Sequence, residues 1–181
     1  MTIVITGASS GIGKKVYDQL KEEITDKIVC ISRSRPENLI DKDEWIECDL
    51  SKIDEVDKLV NRLTNEKEIE SLIHCAGIME TRSATKLDYE VSENMFKVNV
   101  IAPLVITSKL TRQLSRAKGS VVFISSIAAE IDIEGELGYS ITKAAVLKMC
   151  QGFNAELNRL GIKFFAICPS FVKTPMTNKL D

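Results

Sequence analysis

Histidine is almost absent from this chain, with His74 the only one, and among five cysteines (Cys30, Cys48, Cys75, Cys150, Cys168) no two form a Cys-x-x-Cys pair. That leaves a zinc site little support, so no metal is expected. An odd number of scattered thiols, mostly inside apolar runs, points away from a disulfide framework and toward a reducing, cytoplasmic setting. Neither sign of charge is in excess: 24 basic residues face 26 acidic ones, the net charge is −2, and no basic cluster occurs. Nucleic acid and anionic membrane are therefore not expected partners. With Thr2-Ile3-Val4-Ile5 reading as a strand directly after Met1, neither a signal peptide nor a membrane span is expected. Repeats, low-complexity tracts and linkers are also missing. What is present, 181 residues with 44% hydrophobic and 28% charged, suits one soluble domain spanning residues 1–181 with a sizeable core.

Taken in order, short apolar runs alternate with helical patterns. Thr2 to Ile5 reads as a buried parallel strand. Thr6-Gly7-Ala8-Ser9-Ser10-Gly11-Ile12-Gly13 follows, then apolar positions at helical spacing, Ile12, Val16, Leu20 and Ile24. Glycines between a strand and a helix let the backbone approach a pyrophosphate, and the free N–H groups at the helix start attract its charge. The spacing is Gly-x-x-x-Gly-x-Gly, and a plain turn is the alternative. A second strand, Lys27 to Ile31, ends at Ser32-Arg33-Ser34-Arg35-Pro36. In a dinucleotide fold this end lies near the adenosine ribose, where a carboxylate suits the two ribose hydroxyls and an arginine suits a 2′-phosphate. With Ser32 and Arg33 here and no carboxylate before Glu37, NADP(H) is preferred, with NAD(H) still possible.

The third strand, Trp45 to Cys48, ends at Asp49-Leu50-Ser51, with Ser51 a plausible cap for the next helix. The fourth, Ser71 to Cys75, runs into Ala76-Gly77, small residues that again suggest backbone close to a cofactor. His74, in an apolar run, reads as a satisfied interior residue. From Ser92 to Ala117 the pattern is helical, with Pro103 inside it; proline has no N–H, so the carbonyl of Asn99 loses its donor and could hold a water. The apolar strand Val121 to Ile124 leads into Ser125-Ser126, an acidic connector (Glu130, Asp132, Glu134, Glu136) that should border a substrate pocket, and then Tyr139-Ser140-Ile141-Thr142-Lys143. Tyr139 and Lys143 are one helical turn apart, so an ammonium beside the phenol would lower a pKa that is ordinarily about 10. A surface pair is the alternative. A sixth strand, Ile162 to Cys168, ends at Pro169. Such alternation predicts an α/β fold, a doubly wound parallel sheet ordered 3-2-1-4-5-6 with helices on both faces, and ligands beyond the carboxyl ends of its strands. The flagged segments all fall on that edge.

Together these residues resemble the short-chain dehydrogenase/reductase family over essentially the whole chain. Thr6-Gly7-x-x-x-Gly11-x-Gly13 looks like its cofactor turn, Asp49 stands where the family has an Asp near the adenine, and Cys75-Ala76-Gly77 stands at its Asn-Ala-Gly motif. Asn99, Ser126, Tyr139 and Lys143 fall at its catalytic tetrad positions, and Pro169 to Thr174, Val172 included, resembles its nicotinamide-contacting segment. The resemblance implies an NADP(H)-dependent oxidoreductase acting on a small carbonyl or alcohol. Tyr139 would be the general acid/base, Lys143 would lower its pKa and bind the nicotinamide ribose, Ser126 would hold the substrate oxygen, and Asn99 would hold a water that reloads the proton. Gly7, Ser9, Ser10, Gly11, Ile12 and Gly13 would contact the cofactor, as would Ser32, Arg33, Asp49, Leu50 and the strand-end residues named above. Three departures stand out: Cys75 for Asn, Ser170 for the usual Gly after Pro169, and an end at Asp181 where the family usually adds a substrate-covering region and a seventh strand. The last leaves substrate closure and some oligomer contacts in question. A homodimer is implied through the helices after Asn99 and after Tyr139, with the apolar face from Leu147 to Leu157. The alternative class is an NADP(H)-binding sensor or scaffold with little catalysis.

Overall fold

Every residue of β1 (Thr2–Thr6) is buried, and a strand covered on both faces has no solvent side to give to polar groups, hence its β-branched sequence without alternation. In the computed structural model, which describes residues 1–179, β1 lies inside a six-stranded parallel sheet. The other strands are β2 (Lys27–Ser32), β3 (Glu44–Glu47), β4 (Ile69–His74), β5 (Ser120–Ile124) and β6 (Lys163–Ile167), in the order β3-β2-β1-β4-β5-β6, with β1 paired to β2 and β4. This is the predicted order. It reverses between β1 and β4, whose ends therefore flank the crevice where a doubly wound sheet takes a ligand.

Helices cover the two faces unequally. On one face, α1 (Gly11–Glu23) presses Tyr17 onto Ile3, Ile5, Ile28 and Cys30. On the other, α2 (Ile53–Leu63), α4 (Ala102–Lys109) and α6 (Leu137–Leu157) contribute Leu59, Leu63, Ile106, Val146 and Cys150 to a larger core with Val4, Leu72, Val121 and Phe123. The α1 face thins out over β6, where Phe165 and Ile167 are 51% and 50% exposed. Of the apolar face from Leu147 to Leu157, Cys150 is buried in this core, and Met149, Phe153 and Leu157 are partly buried against it. No described helix is long and apolar enough to cross a membrane.

The predicted helix from Ser92 to Ala117 is not continuous. It divides into α3 (Tyr89–Phe96), a π-turn at Lys97–Ile101, α4, and α5 (Thr111–Ala117). Ala102 N–H reaches back five residues to Lys97 O, just ahead of Pro103, which has no N–H to give. Ser51 does not cap α2, whose preceding residue is Lys52. Its hydroxyl instead donates to Asp49 Oδ1 at 2.8 Å, and Glu55 in the first turn accepts the Asp49 N–H at 2.7 Å.

Candidate active site

Two glycines give the turn after β1 its shape. Gly7 and Gly11 have φ of +73° and +52°, the left-handed region that side chains rarely adopt. A Cβ on Gly7 would lie 2.7 Å from Ala76 N, and one on Gly13 would lie 2.2 Å from Gly7 O. The turn is thus folded against both the end of β4 and the start of α1. Ser10 precedes α1 with no side-chain cap, so the unpaired N–H groups of the first turn remain available. Gly7, Ser9, Ser10, Gly11 and Ile12 form one wall of a cleft of about 290 Å³. Ser32 and Arg33 from the end of β2, Asp49 and Leu50 after β3, and Cys75, Ala76 and Gly77 after β4 complete it. Gly13 does not line the cleft; it is buried beneath the turn.

Burial pushes the Asp49 carboxyl up, but the Ser51 N–H and hydroxyl, both on Oδ1, together with Lys52 and Arg33, bring it below its ordinary value. A charged acceptor and the exposed Arg33 thus stand at the neighbouring ends of β3 and β2, where both line the cleft. At the β4 end, Thr6 accepts twice: its carbonyl takes the Cys75 N–H and its hydroxyl the Ala76 N–H, each at 3.2 Å. Burial raises the Cys75 thiol to about 12, so it is an inert packing group. His74 is interior as expected, stacked 5.1 Å from Phe123 with its Nε2 2.9 Å from Thr107 Oγ1, and burial holds it neutral with a pKa of about 3.

A second chamber, about 100 Å³, adjoins the first and shares Ile12, Cys75, Gly77 and Thr174 with it. Ser126, Tyr139, Lys143, Pro169 and Val172 line it. β5 delivers Ser125 and Ser126, and α6 delivers Tyr139 and Lys143 on its inner face, 8% and 5% exposed. The Ser125 hydroxyl donates to Lys143 O at 2.9 Å and fixes this helix to the strand end. Lys143 Nζ donates to Ile124 O at 2.8 Å and lies 5.5 Å from the centre of the Tyr139 ring.

The expected lowering of the tyrosine pKa by the lysine is not what this geometry produces. Burial raises Tyr139, the Ser126 hydroxyl acts against that, and Glu136 adds to it. The ammonium is anchored on the strand carbonyl rather than on the phenol oxygen, and burial takes Lys143 itself down to about 8.

Asn99, 2% exposed in the π-turn, lines neither chamber. Its Oδ1 accepts the Ile78 N–H at 2.8 Å, while its Nδ2 donates to Ile78 O at 2.9 Å and to Thr142 Oγ1 at 3.0 Å. The Thr142 hydroxyl in turn donates to Tyr139 O at 2.7 Å. The amide is fully used in tying the loop after β4 to α6, so a water held here would need the backbone carbonyl. Ser125 and Thr142 were not anticipated; the only sequence hint for Thr142 is a small hydroxyl residue one position before Lys143 on the inner face. Of the acidic connector, Glu130, Asp132 and Glu134 are exposed and only Glu136 reaches the chamber.

A doubly wound sheet with a glycine turn at its switch point, opening into a chamber that holds a serine, a tyrosine and a lysine, defines the class of nicotinamide-dependent oxidoreductases. The chain belongs to the short chain dehydrogenase family, whose model matches residues 1–181. It is 34% identical to an uncharacterized oxidoreductase of Staphylococcus haemolyticus, over 98% of this chain and 80% of that protein. A short chain dehydrogenase family protein from Francisella tularensis superposes with a TM-score of 0.92 at 22% identity, covering 99% of this chain and 73% of that one. The bulky-bulky ketone specific alcohol dehydrogenase of Comamonas testosteroni gives 0.86 at 26% identity, covering 95% and 72%.

Proposed function

We propose that this chain interconverts a carbonyl and a secondary alcohol with NADP(H), Tyr139 acting as general acid/base. The observation that carries this reading is the meeting of Ser126, Tyr139 and Lys143 in a chamber continuous with the glycine-turn cleft. A phenol kept protonated by burial is in the right state to donate to a carbonyl oxygen, which favours reduction at neutral pH. Ser126, already beside Tyr139, would hold that oxygen as its charge develops. Lys143 stays charged at neutral pH and has donors left beyond the one given to Ile124 O, enough to bind a ribose hydroxyl. The Asn99 carbonyl, without an α-helical donor at Pro103, would hold the water that returns the proton.

The chain's own residues suit the cofactor: a tight turn that side chains on Gly7 or Gly13 would force off the end of β4 and the start of α1, a helix start with free N–H groups, and Asp49 and Arg33 at the far mouth. When bound, the nicotinamide supplies or accepts the hydride. Arg33 supports NADP(H) over NAD(H), because a guanidinium matches a phosphate in geometry and charge. A homodimer in a cytoplasmic setting completes the reading.

Tyr139→Phe is expected to lower kcat by about 100-fold or more while leaving the NADPH dissociation constant nearly unchanged, by fluorescence titration. Arg33→Ala is expected to weaken NADPH about tenfold and NADH hardly at all. Undiminished carbonyl reduction by the Phe variant would overturn the role of Tyr139, and NADH preference in the parent chain would overturn that of Arg33.

A further inference from the structure

Glu136 is a buried acid with no internal use. The residue is 5% exposed, yet among the described residues neither carboxylate oxygen has a hydrogen-bond or ion-pair partner, and burial alone accounts for its raised pKa. It occupies the position before α6, where an acid ordinarily accepts a first-turn N–H, but its side chain makes no such cap. It turns into the smaller chamber, whose other walls include Ile133, Met79, Val172 and Met176. Its carboxylate oxygens, which no protein group occupies, open onto the chamber, where a molecule that enters meets them as free acceptors. Glu136 and Tyr139 line the same chamber, and the carboxylate is near enough to the phenol to help raise its pKa. In a chamber of about 100 Å³, a donor met by Glu136 lies only a few bonds from an oxygen held by Tyr139.

We propose that Glu136 determines specificity by accepting a hydrogen bond from a donor, a hydroxyl or an ammonium, that the substrate carries on the carbon beside its reacting carbon. This rests on the reading of Ser126 and Tyr139 as the site of carbonyl chemistry. It assigns the substrate class as α-hydroxy or α-amino carbonyls, with the corresponding vicinal diols or amino alcohols. The rest of the acidic connector has no part in it, since its other three carboxylates are in solvent.

The test compares butan-2-one with 3-hydroxybutan-2-one and 3-aminobutan-2-one, using NADPH and the 181-residue chain. The readout is the ratio of kcat/KM for each substituted ketone to that for the plain one, which cancels any common effect on turnover. In the parent chain a substituted ketone is expected to be favoured about 10- to 100-fold, the range for a hydrogen bond to a charged acceptor. In Glu136→Leu the ratio should fall to about one. Glu136→Gln keeps the shape and an acceptor, so it should retain part of the hydroxy preference and lose the amino preference, which tells the two donors apart. Equal ratios in the parent and Glu136→Leu, or in the parent and both variants, would overturn the proposal.

A ligand-observed NMR titration of butane-2,3-diol against butan-2-ol, with and without NADPH, reads recognition where turnover is absent. Diol preference that Glu136→Leu abolishes, without any ketone reduction, would support the role of Glu136 and count against the carbonyl-reductase reading. Reduction of ketones with no diol preference would do the reverse.

Discussion

Lys143 keeps an ammonium almost wholly out of water, with one protein acceptor and, among the described residues, no carboxylate close enough to pair with it. Its pKa falls from 10.5 to about 8, a difference worth about 3 kcal/mol. Below pH 8 the side chain is charged in both folded and unfolded chains, and the folded chain carries the full desolvation cost. Between 8 and 10.5 the folded chain releases its proton first, the unfolded chain binds more protons, and stability rises with pH. Lys143→Met is therefore expected to stabilise the cofactor-free chain at pH 7 by about 1–2 kcal/mol, less than the full shift because Ile124 O loses its donor. The same variant should lose most turnover. Urea melts of both proteins at pH 7 and pH 10 check this: the gap should narrow at the higher pH, and a constant gap would mean that the buried ammonium is not its source. A residue that costs stability where it stands, in a pocket facing the cofactor cleft, is characteristic of a functional group.

At the scale of elements, the site depends on joints between segments far apart in sequence. Asn99 in the π-turn binds Ile78 after β4 and Thr142 on α6, and Thr142 binds the carbonyl of Tyr139. Thr142→Val keeps the volume but leaves an Asn99 amide proton without an acceptor in a dry interior. It is expected to destabilise by about 1–2 kcal/mol and to lower kcat more than it raises KM, because Tyr139 loses its reference to the β4 loop. Thr142→Ser should restore both. A Val variant with parental kcat would show that this joint is only structural.

These joints were the part of the site that the sequence hid. The glycine turn was readable because its logic is local: strand, glycines and helix start lie within a dozen residues, and the backbone demands on Gly7 and Gly11 select the residue type directly. Ser126, Tyr139 and Lys143 were readable because spacing and strand ends placed them on one edge. Thr142 was not, since its partner lies 43 positions away and nothing in a helical pattern marks which hydroxyl a distant amide will use. Charge state failed for the same reason. Spacing put an ammonium near Tyr139, but only the fold shows it anchored on Ile124 O, so that burial rather than Coulomb attraction governs the phenol. Glu136 could be named in sequence only as one of four connector acids, because which one turns inward depends on where α6 begins.

For the whole molecule, the distribution of exposed apolar side chains carries the assembly question. The stripe along α6 packs partly on the chain's own core, while Ile101 and Leu104 before and within α4, and Ile141 on α6, are 48%, 44% and 48% exposed. Phe165 and Ile167 form a separate exposed pair on β6, on the part of the α1 face that the helix does not cover. If the helices following Asn99 and Tyr139 form the homodimer contact, Leu104→Glu combined with Ile141→Glu should convert a dimer to a monomer in sedimentation velocity, since an unpaired charge buried in an interface costs several kcal/mol. Phe165→Lys with Ile167→Lys should leave the dimer intact and lower the binding of a hydrophobic dye. The reverse pattern, dissociation by the β6 pair and none by the helix pair, would move the contact to the sheet edge. The chamber would then lie close to the partner, because β6 ends where Pro169 enters its wall.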